Sequence, residues 1–286
     1  MTAPLPTASR WNTYSRSRYP RLWDGCVGAW CPSLGVTGTR LFDFATRQNW
    51  GTLANMDPPT DWVVSSGGYA LDFDGSNDYI LLTPAIGGKP RATFAMWFWW
   101  AAYSNNDDLL FETSENYGTI GNAILCDPNC SSPTAGKFHI ALSASSGQYN
   151  SKDVDRPTAA EWHHLGVVCD RTLGSGPDVL RVHIDGVETG TQIGTANMSG
   201  TTFGSENLYL CCRGGSALFG ETKLDDIRVY DRALNSAEVR LLATRRAIAY
   251  EPKYRPAYYT ETDAGGATPW LYARRRSQII GAGGVH

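Results

Sequence analysis

The stretch that most limits what this chain can fold into runs from Lys223 to Ala243 and includes LDDIRVYDRALNSAEV. From Asp226 to Asp231 polar and apolar residues alternate. That places Ile227 and Val229 on one face of a strand and Arg228 and Tyr230 on the other. Asn235 then offers an N-cap, and Glu238 three residues on completes a capping box. Val239, Leu241 and Leu242 give the following helix an apolar side. A strand feeding a short capped helix is therefore expected, with the helix over 235–244.

The rest of the chain reads as strands. Phe94, Met96, Phe98 and Trp100 point one way and Ala95, Trp97 and Trp99 the other, so this run is expected to be a central strand covered on both faces. Glu161–Asp170 reads the same way. In Val179–Thr189, Leu180, Val182 and Ile184 share a face and Asp185-Gly186 makes a hairpin turn. Leu71 and Phe73 alternate with Asp72 and Asp74, and Asp74-Gly75 reads as a second hairpin returning through Tyr79 and Leu81. Residues 114–136 read as a polar connection.

The 286 residues suit one large β-domain with extensions, and 42% hydrophobic residues are enough for a sizeable core. No segment approaches the roughly 18 apolar residues of a membrane helix. The first 25 residues hold no apolar run, so no secretory signal is visible. The expectation is synthesis in a host cytoplasm, with the protein staying there, carried in a virion or released. Seven cysteines cannot all pair within one chain. Cys126 and Cys130, in a turn-like Cys-Asp-Pro-Asn-Cys, are read as thiols, with a disulfide or half a metal site as alternatives.

The net charge of −3 is unevenly spread. Residues 1–22 carry four arginines and no acid; residues 240–286 carry eight bases and three acids; the body between holds 13 bases and 25 acids. This asymmetry points to an acidic partner. The division expected is an extended basic arm at 1–22, a β-domain at 23–244 and a second basic arm at 245–286. Arg10, Arg16, Arg18, Arg21, Trp270, Tyr272, Arg274, Arg275 and Arg276 are the candidate assembly contacts. Aromatic residues interleave with bases only weakly in the arms, which disfavours nucleic acid.

Three blocks resemble laminin G-like, concanavalin A-like jelly rolls of the bacterial and phage type. They are Gly25–Trp30 with Asn49–Leu53, then Leu71–Tyr79, then Glu161–Leu165 with the Ile184–Gly186 turn and Leu224–Tyr230. The first departs from the family at Trp50, where the family usually has His. The resemblance implies an all-β sandwich of two antiparallel sheets with one short C-terminal helix. The ending YARRRSQIIGAGG resembles that of small virion-associated proteins of phages and prophages. That implies a non-enzymatic decorating protein docked by its arms onto copies of itself or other virion proteins. The alternative is a lectin-like module that binds surface glycans.

Hydrolases of this fold carry two or three carboxylates on one strand in a Glu-x-Asp-x-(x)-Glu spacing. The strands here lack it, so no catalytic residue is assigned. Asp225 and Asp226 are adjacent and are expected to point to opposite faces. No cofactor is required on this reading. The family often holds a structural calcium ion, for which Asp72, Asp74, Asn77, Asp78, Asp225 and Asp226 are the candidates. His163-His164 and His183 are read as core or surface histidines. Trp50, Tyr103, Tyr117 and Tyr149, set among loops, are the candidate sugar contacts.

Overall fold

The computed structural model describes residues 17–46, 49–116, 118, 121–145 and 147–251. The strands with two apolar faces sit at the centre of the first sheet. These are β7 (Arg91–Trp100), β12 (Trp162–Asp170) and β17 (Glu221–Tyr230). Across that sheet the order is β14 (Val187–Thr189), β13 (Leu180–Ile184), β12, β7, β17, β5 (Gly68–Asp74) and β4 (Trp62–Ser65). One edge of β17 is shared: β5 pairs with Glu221–Leu224, and β1 (Cys26–Trp30) pairs with Ile227–Tyr230.

The second sheet runs β15 (Thr191–Thr195), β11 (Gln148–Asp155), β10 (Lys137–Ser145), β9 (Ile124–Cys130), β8 (Phe111–Thr113), β16 (Leu208–Leu210), β6 (Tyr79–Leu82), β3 (Gly51–Ala54) and β2 (Arg40–Leu41). Every described pairing in both sheets is antiparallel. Phe94, Met96, Phe98 and Trp100 meet Phe111, Phe138, Ile140 and Leu142 between the sheets, all buried. Phe94 stacks on Phe111 at 5.2 Å. Alternation along the strands thus holds as expected.

The outer face of the first sheet is also covered. A single-turn helix, α1 (Pro58–Asp61), precedes β4, and the capped helix is α2 (Ser236–Leu242). In α2 the Asn235 side chain accepts from Glu238 N (2.9 Å) and Glu238 accepts from Asn235 N (3.0 Å). Val239 and Leu242 pack with Ile248, Ala249 and Leu22 on Ala95, Val168 and Tyr230 of the sheet. The helix lies this close because Gly166 has no side chain: a Cβ there would sit 2.6 Å from a Val239 methyl.

Several expectations need correction. Asp74-Gly75 does not close a hairpin. β5 and β6 lie in different sheets, and the Asp74–Asp78 loop crosses between them. Leu71, Phe73, Ile80 and Leu82 all face the same core, but from opposite layers. Cys126–Cys130 belongs to β9 and not to a turn. Its Pro128 is accommodated where the β9–β10 register shifts, since proline cannot donate to a ladder. All seven cysteines are free thiols. Ser17 and Glu251, in the segments that flank 23–244, are hydrogen-bonded to one another's neighbours at Ala249 and Arg18.

Asp225 and Asp226 do not point to opposite faces. The register of β17 against β7 slips between Asp225 and Arg228, and Asp226 takes φ +45°. Leu224 and Ile227, on either side, both enter the sandwich core, so the bulge turns both carboxylates outward. There Asp226 accepts from Arg228 Nε (2.9 Å) and from Ala247 N (2.8 Å). The fully buried Arg228 guanidinium lies over the rings of Trp23 (4.7 Å) and Tyr250 (4.6 Å), which meet edge-to-face. Burial opposes its charge, but Asp226 together with Tyr250, Tyr230 and Cys26 holds Arg228 above its usual range. Burial and then Asp226 push Asp225 up to about 6.

This arrangement clasps the two ends of the described chain together. Trp23 Nε1 and Ser17 Oγ donate to Ala249 O (3.0 and 2.8 Å), Arg18 N donates to Glu251 O (2.8 Å), and Tyr230 Oη donates to Leu22 O (2.9 Å). Removing one partner of a buried ion pair typically costs about 3–5 kcal/mol. Arg228→Ala is therefore expected to lower the free energy of unfolding in urea by about that much. Arg228→Lys should recover little, because an ammonium lacks the planar guanidinium that reaches Asp226 and both rings at once. Arg228→Ala unfolding within about 1 kcal/mol of the parent, the usual net value of an ordinary hydrogen bond, would show that the clasp carries no weight.

Candidate ligand rim on the second sheet

β9, β10 and β11 carry their inward residues Cys126, Ile140, Leu142 and Val154 to the core, so the alternate positions point outward. Register places Asp127, His139 and Asp153 opposite one another across the three strands, on that outward side. His139 Nδ1 and Asp153 Oδ1 are 2.7 Å apart, and both side chains are largely buried. One strand further, the buried Glu112 holds Arg213 at 2.9 Å.

The loop after β7 folds over the end of this row. Ser104 N donates to Asn129 Oδ1 (2.8 Å), Asn129 Nδ2 to Asp108 Oδ2 (2.7 Å), and Asp107 N to Asn129 O (3.0 Å). Asp107 in turn accepts from Ser131 N (2.5 Å) and Ser131 Oγ (2.6 Å). Arg156, just past β11, donates to Pro128 O (2.8 Å) and Asn105 Oδ1 (3.1 Å), and its guanidinium lies 5.3 Å from the Tyr103 ring. Carboxylates, carboxamides and a guanidinium are thus held in place side by side. These planar groups are the ones that hydrogen-bond paired hydroxyls.

The sequence reading missed Asp107, Asp108, Asp127, Asn129, Arg156, His139 and Asp153. The run Ser104-Asn-Asn-Asp-Asp108 was its one local signal. The partners lie about twenty and fifty residues further on, and only strand pairing joins them.

Of the aromatic candidates, Tyr103 belongs to this rim, but it stacks on Trp100 (6.3 Å, 3°) and carries Arg156. Tyr149 is half-buried at the start of β11. Trp50 is exposed, beside Arg40 (5.0 Å) and Phe42 (4.9 Å), next to β3. With six strand spacings between β3 and β11, about 29 Å at about 4.8 Å each, Trp50 and Tyr149 do not share one sugar site. Tyr117 lies outside the described residues.

The calcium candidates are not assembled as a ligand set. Asp74 Oδ1 accepts from Ser76 N (2.8 Å) and Asn77 N (3.2 Å), and Asp78 Oδ2 from Asp74 N (3.2 Å). Asp72 is ion-paired with Lys223, Asp226 with Arg228, and Asp225 lies 3.6 Å from Arg246. Asn77 gives its carbonyl to Asn55. Among the described residues, the one cation-sized group of three donors is Asp107, Asp127 and Cys130, within 4.8 Å of one another. It suits calcium poorly. Burial pushes the Cys130 thiol up to about 11, and calcium takes six to eight oxygens. Of the assembly candidates, Arg18 pairs with Glu251 and Arg21 O accepts from Arg232. Arg10, Arg16, Trp270, Tyr272, Arg274, Arg275 and Arg276 lie outside the described residues.

Burial pushes the Asp127 carboxyl up to about 7, and Asp107 and Asp108 add to the shift. The folded state then holds this proton more tightly than the unfolded chain. Stability is lost as pH rises from about 4 to about 7. Asp127→Asn should be more stable than the parent at pH 8, by on the order of 1–3 kcal/mol, and no more stable at pH 4. Equal pH profiles for the two proteins would mean that Asp127 ionises normally.

Comparison with known proteins gives the fold a family. A laminin G family profile, described as the concanavalin A-like lectin/glucanases superfamily, matches residues 74–240. No curated protein matches the chain in sequence. Among solved structures, domain 4 of the extracellular arabinanase AbnA from Geobacillus stearothermophilus, in complex with arabinotriose, superposes with a TM-score of 0.55 at 14% identity, over 80% of this chain and 100% of that domain. The binding domain of botulinum neurotoxin serotype D/C VPI 5993 gives 0.55 at 10% identity, over 78% of this chain and 52% of that one. The serotype D ligand-binding domain, in complex with N-acetylneuraminic acid, gives 0.55 at 9% identity, over 79% and 52%. The chain therefore spans about half the length of the neurotoxin domains it matches. At such identities these likenesses speak for the fold alone. With more than half of its length matched by the profile, the chain belongs to the concanavalin A-like lectin/glucanases superfamily.

Proposed function

We propose that this protein is a lectin-like module that binds an oligosaccharide at the rim formed by residues 103–108, 127–131 and 156. The observation that carries this reading is the interlocked set of Ser104, Asn105, Asp107, Asp108, Asn129 and Arg156. Its accessible members, Ser104, Asn105, Asp107, Asp108 and Arg156, are fixed before a ligand arrives, with the buried Asn129 holding them from beneath, which lowers the entropy cost of binding. Solved structures of similar fold include a domain bound to arabinotriose and another bound to N-acetylneuraminic acid. The reading is of binding without hydrolysis, since the nearby Glu112 is committed to Arg213.

The full chain should bind a defined subset of a glycan array, with or without added calcium. Arg156→Ala and Asp107→Ala should each weaken the best ligand at least about tenfold, or about 1.4 kcal/mol. A parent protein that binds no glycan, or variants that bind like the parent, would contradict the reading.

A second reading keeps one observation in its favour. The described chain begins and ends side by side, through Arg18–Glu251 and Ser17–Ala249, so the two basic extensions leave from one place. That suits a decorating component tethered to an assembly, such as a phage-like virion, by both arms. Light scattering of the full chain and of residues 17–251 tests it. An oligomeric full chain with a monomeric core supports arm-mediated self-assembly, and two monomers exclude it.

A further inference from the structure

Arg171 follows β12 and turns its side chain into the sandwich, where it is fully buried. No carboxylate among the described residues meets it. Nη1 donates to Ser143 O (3.0 Å) and Thr201 Oγ1 (3.0 Å) and touches Met198 Sδ (3.6 Å). The guanidinium lies over the Phe203 ring at 4.4 Å. Its other edge, Nε and Nη2, is buried with no partner among the described residues. Those two N–H groups are parallel, and they form the edge that meets both oxygens of a carboxylate or similar oxyanion.

A second buried polar group lies on the neighbouring strand. Ser143, whose carbonyl holds Nη1, pairs with Tyr149 across the β10–β11 ladder, and Asn150 is the next residue. Asn150 lies opposite the core residue Leu142, so its side chain faces inward. It is fully buried, and neither its amide nitrogen nor its amide oxygen has a partner among the described residues. A desolvated cation and an unsatisfied carboxamide are each expensive when left alone. Water could fill the hydrogen bonds but would leave the positive charge uncompensated. Burial pushes Arg171 down to about 10, as expected of a cation without a counter-ion.

We propose that Arg171 is an internal anion site, in which a small oxyanion of the carboxylate class sits on the Nε–Nη2 edge with the Asn150 amide as an additional donor. The site is separate from the rim and does not depend on the lectin reading. It would act as a stabilising ligand site, linking folding to the anion.

The test is thermal unfolding of the full chain in sodium formate, with gluconate, too large for such a site, holding ionic strength constant. At about 100 times its dissociation constant, formate should raise Tm by roughly 5 °C. Arg171→Lys, which keeps the charge and loses the parallel edge, should weaken that response at least about tenfold. Titration of the parent with 13C-formate, read by NMR, should show one saturable site per chain, and this readout does not require the variant to fold. No saturable formate site, or the same formate response in parent and variant, would overturn the proposal and leave water as the occupant.

Discussion

The bulge at Asp225-Asp226 is the constraint on which the rest of the molecule depends. A regular strand would aim one of these carboxylates into the apolar core between the sheets. Slipping the register by one residue keeps Leu224 and Ile227 inside and moves both acids out. Only then can Asp226 meet Arg228, and Arg228 gather Trp23 and Tyr250 around it. The two terminal segments and α2 thereby cover the outer face of the first sheet. That sheet is a layer with apolar contacts on both sides, and the polar rim lies on the second sheet.

Much of this architecture is legible in the residues. The two-faced apolar strand at Arg91–Trp100, the turn at Asp185-Gly186 and the Asn235/Glu238 box are local patterns with local causes. Inward and outward positions in β7, in β13 and in Ile227–Tyr230 of β17 follow from period two. Local pattern fails where the deciding fact is elsewhere in the chain. Asp74-Gly75 has the chemistry of a tight turn, but which sheet the next strand joins depends on β3 and β16. Ile124–Cys130 looks like a loop because of Asp127, Pro128 and Asn129, yet β10 pairs with it and makes it a strand. The bulge itself breaks the alternation used to separate Asp225 from Asp226.

The rim was the least legible part. Its residues come from the loop after β7, from β9 and from the residue just past β11, and no spacing rule links Asp107 to Asp127 or Arg156. The aromatic residues that drew attention as sugar contacts turn out to be dispersed. Tyr103 is built into the rim wall, whereas Trp50 belongs to a chain of edge-to-face rings through Phe42 and Phe44 to Tyr250. The geometry thus favours recognition by hydrogen bonds over stacking. Membership of the superfamily and the solved structures of similar fold support the two-sheet architecture that carries the rim.

Hydrogen–deuterium exchange of the full chain, with and without a bound saccharide, tests the central claim most directly. The account predicts slowed amide exchange at 104–108, 127–131 and 156, and no change at 40–54. Protection centred on Trp50 and residues 40–54, with the rim unchanged, would contradict it.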